Sequence, residues 1–161
     1  MLPTVRFKER PEDFIVDEIP AYPAAGEGDH LFVTFRKVGL NTQEAVAQLA
    51  KALGASVRET GVAGMKDKVA VATQTASFPI GRGVDPGPLL AGFTGSVPPS
   101  TSGGTLSVLS ATRHGNKLRV GHLLGNRFGM RLAGAAADEA LAARGLAILT
   151  ATGLPNFYGD Q

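Results

Sequence analysis

The stretch GVAGMKDKVAVATQTASFPI, residues 61–80, sets a carboxylate in a glycine-rich, basic turn directly ahead of an alternating β-branched run. From Val69 onward that run has the period of a half-buried strand, and it ends before Gly81. Asp67 therefore stands at a strand's entry, between Lys66 and Lys68, with Gly61 and Gly64 permitting a tight backbone path. Upstream, FIVDEI (14–19) and HLFVTFRKV (30–38) read as two further strands, separated by the loop PAYPAAGEGD. Between them and the quoted stretch, Asn41 and Glu44 have capping-box spacing. Val46, Leu49, Ala50 and Leu53 then recur at helical period, and Gly54 stops the helix.

Downstream, residues 81–104 are rich in Gly, Pro, Ser and Thr and read as loops around the apolar segment from Leu89 to Phe93. TLSVLSATR (105–113) and the segment around 117–132 read as strands, with His114, Gly115 and Asn116 as a tight turn joining them into a basic hairpin. Asp138 caps a second helix running to about Thr150, with Leu141, Ile148 and Leu149 on one face and Gly153 at its end. No internal repeat is present. Strands and helices do not alternate strictly, so the pattern predicts an α+β domain with a mixed, largely antiparallel sheet, flanking helices and one sheet face left for a ligand.

With 161 residues the chain is long enough for one domain with a real core. Hydrophobic residues are 43% and charged residues 19%, a globular profile without an eighteen-residue apolar run or a signal-peptide core. There is no cysteine, which excludes disulfides, thiol catalysis and zinc-thiolate sites and fits a cytoplasmic protein. Net charge is only +2, but its distribution is uneven. Residues 1–85 hold eleven Asp and Glu against ten Lys and Arg, whereas residues 86–137 contain no acid and five bases: Arg113, Lys117, Arg119, Arg127 and Arg131. Such a cationic stretch suits a phosphate-rich partner, because basic side chains displace condensed counterions from nucleic acid; a solvated basic face is the plainer reading.

Two ammonium groups beside Asp67 favour its ionised form, as a nucleophile or electrostatic stabiliser; the plainer alternative is a surface Lys-Asp-Lys turn. GVAGMK lacks Walker A spacing, and GEG at 26–28 does not extend to a dinucleotide fingerprint. His30, His114 and His122 are scattered, giving no local support for a metal site or a Ser-His-Asp triad. KLRVGHLLGNRFGMRL (117–132) interleaves Lys117, Arg119, Arg127 and Arg131 with Phe128, as a reader of single-stranded RNA requires, although Phe128 also fits a core position on an alternating strand.

Four blocks, in order, resemble the TruD family of tRNA pseudouridine synthases: KERPEDFIVDE (8–18), GVAGMKDKVAVATQ (61–74), RHGNKLRVGHLLGNRF (113–128) and GLPNFYGDQ (153–161). The resemblance implies isomerisation of uridine to pseudouridine in tRNA, typically at uridine-13, with no metal or organic cofactor. It places Asp67 on the family's catalytic aspartate and Lys8 on a basic position near it. Phe14, Asn126 and Phe128 fall on positions that contact the target nucleotide. Lys66, Lys68, Arg113, Lys117, Arg119 and Arg127 are the cations expected along the RNA backbone. The family's pattern runs on into Arg-Phe-Gly, an inserted domain and a C-terminal return, so residues 1–161 are expected to be the N-terminal part of a catalytic domain. The alternative expectation is a non-catalytic RNA-binding fragment.

Overall fold

A computed structural model describes residues 6–93, 103–134 and 138–153. It separates into two compact units, residues 8–131 and a smaller one formed by residues 1–7 with 132–161. The first unit holds a mixed sheet of β1 (Phe14–Pro20), β2 (His30–Val38), β3 (Gly61–Val62), β4 (Val71–Pro79), β5 (Thr105–His114) and β6 (Leu123–Met130). The strand order is β5-β2-β4-β1-β6, with β3 beside the second half of β4. Four of the five pairings are antiparallel, and β1 with β4 is the parallel one. The architecture is the α+β class read from the sequence.

Alternation decides the core. Leu31, Val33 and Phe35 of β2 face the same way as Ala76 and Phe78 of β4, and helix α1 (Thr42–Leu53) covers them with Ala45, Val46, Leu49, Ala50 and Leu53. Full burial of each large side chain contributes about 1.5–3 kcal/mol. The α1 capping box forms as the spacing predicts: Glu44 N–H donates to Asn41 Oδ1 (2.8 Å) and Asn41 N–H donates to Glu44 Oε2 (2.8 Å). Gly54 ends the helix at φ 64°, in the left-handed region that a Cβ disfavours. A short helix α2 (Pro86–Leu90), capped by Asp85, adds Leu90 to this core.

The predicted β5–β6 hairpin is not formed. The nine positions 30–38 of β2 pair along β5, and Phe14–Pro20 of β1 takes β6, so the two strands occupy opposite edges of the sheet. Residues 115–122 cross between the edges instead of turning. Leu118 is buried, its N–H donating to Ser77 Oγ (2.9 Å), and Gly121 N–H donates to the Ala63 carbonyl (2.9 Å). Gly61 has no room for a side chain here, because a Cβ would collide with the Leu118 carbonyl.

In the smaller unit, Arg6 and Ala133 exchange two backbone hydrogen bonds (2.7 and 2.9 Å). Helix α3 (Glu139–Thr152) is capped by Asp138, which accepts from the Ala140 and Leu141 amides. No residue of α3 is buried. No helix among the described residues is long and apolar enough to cross a membrane.

Candidate active site

Register carries the α1-bearing face of the sheet across to its β6 edge. Lys37 lies opposite Ala72, Ala72 beside Val16, and Val16 opposite Phe128, so Phe14, Val16 and Glu18 share that face with Asn126, Phe128 and Met130. The α1 core cluster takes the β2–β4 part of this face, while over β1 the buried cluster is only Phe14, Val16, Ala70 and Ala72. The loop of residues 63–70 enters β4 at this point.

A tight turn, Pro11–Asp13, precedes β1: Asp13 N–H donates to the Arg10 carbonyl (3.0 Å), and Arg10 N–H donates to Asp13 Oδ2 (3.0 Å). It delivers Phe14 to the sheet. Lys8, just upstream, has φ 55°, the one non-glycine positive φ among the described residues and a conformation that an L side chain adopts at a cost. Its ammonium lies 2.7 Å from Asp67 Oδ2 and 3.9 Å from the centroid of the Phe14 ring. Phe14 in turn stacks on Phe128, with centroids 5.9 Å apart and planes 20° from parallel. Asp67, Lys8, Phe14 and Phe128 thus form a continuous row joining three separated blocks of sequence.

The row is open to solvent. The Asp67 side chain is 59% exposed and Lys8 30%, and Phe128 is 57% exposed, so it does not occupy the core position its strand pattern also allowed. Lys8, Asp67, Lys68 and Val69 line a shallow depression. Asn126 is two residues before Phe128, opposite Glu18, and its Oδ1 is buried without a hydrogen-bond partner among the described residues.

The flanking lysines behave differently from the sequence expectation. Lys66 is buried, whereas Asp67 and Lys68 are exposed. The Lys66 ammonium pairs with Glu18 Oε2 (2.8 Å), at side-chain exposures of 4% and 3%, and cannot lie along an RNA backbone. Glu18 fills the gap where β1 leaves β4 and β3 takes over, and its Oε1 also accepts the Thr75 N–H (3.1 Å). Lys68 reaches toward Glu44 (3.9 Å). The cation against the Asp67 carboxylate is therefore Lys8, 59 positions away. Arg113, also expected on RNA, donates to the carbonyls of Ile80 (2.6 Å), Gly81 (2.9 Å) and Val84 (2.7 Å), holding the loop after β4. Lys117 is within 3.5 Å of the Arg58 carbonyl, while Arg119 and Arg127 are exposed.

Two features escaped the sequence reading. Lys37 is completely enclosed, and its ammonium donates to the carbonyls of Asp67, Leu40 and Lys66. Its signal was its place in the inward register after Leu31, Val33 and Phe35. The other is a cluster on the face away from α1: Tyr22 Oη lies 2.8 Å from His122 Nδ1, and His114 packs against Tyr22 and Phe32. It borders a cavity of about 180 Å³ floored by Thr34, Thr75, Ser110 and Thr112, none of which touches the Asp67 row.

An exposed carboxylate paired with lysine thus stands beside two stacked aromatic rings on one face of an α+β sheet. Comparison with known proteins is specific. Residues 4–161 match the family model for tRNA pseudouridine synthase D (TruD), and the chain belongs to that family. It is 47% identical over 156 residues to tRNA pseudouridine synthase D of Geotalea daltonii, covering 96% of this chain and 36% of the relative. It is 46% identical over 154 residues to that of Anaeromyxobacter dehalogenans, covering 96% and 40%. The crystal structure of the putative tRNA pseudouridine synthase D from Methanosarcina mazei superposes with a TM-score of 0.78 at 28% identity, over 99% of this chain and 36% of that one. The chain thus spans well under half the length of these relatives.

Proposed function

We propose that the protein carrying this chain is a tRNA pseudouridine synthase that converts uridine, at position 13 of tRNA, to pseudouridine, and that residues 1–161 supply the N-terminal part of its catalytic domain. The observation that carries this reading is the row from Asp67 through Lys8 and Phe14 to Phe128 in a chain of this family. Asp67 is the reacting carboxylate. It attacks the anomeric carbon or stabilises the electron-poor ribose while the N1–C1′ bond breaks, and the freed uracil turns and rejoins through carbon five. No net oxidation occurs, and the proton lost from carbon five balances the one taken up at N1.

Each neighbour has a physical role in that sequence. Lys8 pairs with the carboxylate and orients it, and its own position over Phe14 fixes where that cation stands. The exposed Phe128 ring, backed by Phe14, offers a stacking surface to a nucleotide extruded from its helix, a contact worth about 1–3 kcal/mol. Asn126, on the same face as Phe128 and two residues before it, is the amide that would hold the uracil by hydrogen bonding. Of the cations expected along the RNA backbone, Lys68, Arg119 and Arg127 are exposed and available for phosphates, and the same residues would serve a non-catalytic RNA-binding role.

The test is pseudouridine formation on unmodified tRNA by the full-length gene product and by its Asp67→Ala variant. Product from the first and none from the second is expected. Binding to tRNA with no product from either would favour the non-catalytic role.

A further inference from the structure

Lys37 is the last inward-facing position of β2 and is 0% exposed. A lysine in such a place normally finds a carboxylate, but the three donors of this ammonium go to three backbone carbonyls: Asp67 at 2.7 Å, Leu40 at 2.9 Å and Lys66 at 3.2 Å. Two of these are consecutive carbonyls of the loop that carries Asp67. The opposite side of the loop is held as well, because Thr42 Oγ1 accepts the Lys66 N–H (2.9 Å) and donates to Gln74 Oε1 (3.0 Å). The peptide on either side of the Lys66 Cα is thereby tied to β2, α1 and β4 together. The Asp67 side chain meanwhile projects into solvent, with Lys8 as its one charged contact within 4 Å among the described residues.

We propose that Lys37 is a positioning residue for the reaction, fixing the backbone at Lys66 and Asp67 so that the Asp67 carboxylate meets Lys8 and a nucleotide over Phe128. The inference rests on the reading of Asp67 as the reacting carboxylate. The energetics argue against a role in stability alone. Burial pushes the Lys37 ammonium down to about 8, with Asp67 and Glu44 opposing that shift and Lys66 adding to it. The fold therefore disfavours the charge it encloses, and an apolar side chain of similar length would avoid that cost. What an apolar side chain cannot supply is three N–H donors converging on the loop.

The experiment is Lys37→Met in the full-length protein, read in two ways. Without RNA, amide exchange at Lys66, whose N–H is held by Thr42 Oγ1, is expected to rise about tenfold or more while α1 is unchanged, because the loop loses its anchor but the core does not. With unmodified tRNA, kcat is expected to fall about a hundredfold with KM little changed, since a displacement of about 1 Å in a reacting group costs that much. Lys37→Gln provides a second arm should Lys37→Met fail to fold: with two N–H donors and no charge it is expected to keep part of the loop's protection and part of kcat. A folded Lys37→Met or Lys37→Gln protein with wild-type kcat, or with wild-type exchange at the Lys66 amide, overturns the proposal. The exchange measurements require no turnover, so a failure of the Asp67 reading, seen as full activity in Asp67→Ala, is distinguishable from a failure of this one.

Discussion

Replacing Lys66 by methionine distinguishes an internal counter-ion, which the structure shows, from the phosphate contact expected from the sequence. In the structure the Lys66 ammonium and the Glu18 carboxylate are almost fully enclosed and 2.8 Å apart. Removing one partner of such a pair leaves the other charge buried without compensation, which costs about 3–5 kcal/mol. Glu18 keeps one hydrogen bond, from the Thr75 N–H, so the lower part of that range applies first. For a protein of this size each kcal/mol lowers Tm by about 2–4 °C, so about 3 kcal/mol gives an expected loss of about 6–12 °C by differential scanning fluorimetry. The double variant Glu18→Gln, Lys66→Met should recover much of it, because no bare charge then remains inside. Filter binding across a salt series should give the same slope for Lys66→Met as for the wild type, since no phosphate contact has been lost. A melting point within about 2 °C of wild type, together with a salt slope reduced by about 1, would refute the assignment and return Lys66 to the RNA surface.

Three further outcomes follow from the same geometry. Phe128→Ala should leave the melting temperature nearly unchanged, because the ring is 57% exposed, while weakening productive tRNA binding by the about 1–3 kcal/mol of one base stack, seen in kcat/KM. Lys8→Ala should lower kcat but cost no more than about 1 kcal/mol in stability, because its ion pair with Asp67 is solvent-screened, and Lys8→Gly should melt higher than Lys8→Ala since glycine accepts φ 55° freely. Lys37 also sets a pH dependence: its ammonium is down at about 8 in the fold against 10.5 unfolded, so between these values the unfolded chain binds the extra proton. Its contribution therefore makes stability rise as pH increases from about 8 toward 10.5, a trend that urea titrations at pH 7.5 and 9.5 should find in the wild type and not in Lys37→Met.

Much of the sheet was legible because its signals are local. The alternation in FIVDEI and HLFVTFRKV, and the Asn41–Glu44 spacing, each depend on residues within one element, and β1, β2 and α1 follow them closely. The partner of a strand is not local information. His114-Gly115-Asn116 has turn chemistry, yet β5 pairs better along the nine positions of β2, and β6 completes the edge left open by β1. The same limit applied to Asp67. Its immediate neighbours in sequence pointed to Lys66 and Lys68, whereas Lys66 is drawn inward to Glu18, Lys68 reaches toward Glu44, and Lys8, at a positive φ, comes from 59 positions upstream. Period-two parity held more than was read from it: Lys37 and Glu18 both sit in the inward register of otherwise apolar strands, and both are buried with their charges satisfied. Tyr22, His114 and His122, from a loop, a strand end and a crossing segment, meet only through the fold. Residues 154–161, most of the last block of family resemblance, lie outside the described residues.

The central claim is that Asp67 reacts with the target uridine. Unmodified tRNA incubated with the full-length protein, digested to nucleosides and resolved by mass spectrometry after pseudouridine-specific labelling, should contain pseudouridine in place of one uridine. The Asp67→Ala variant at equal concentration should yield none while still binding the tRNA. Equal product from the two proteins would contradict the account.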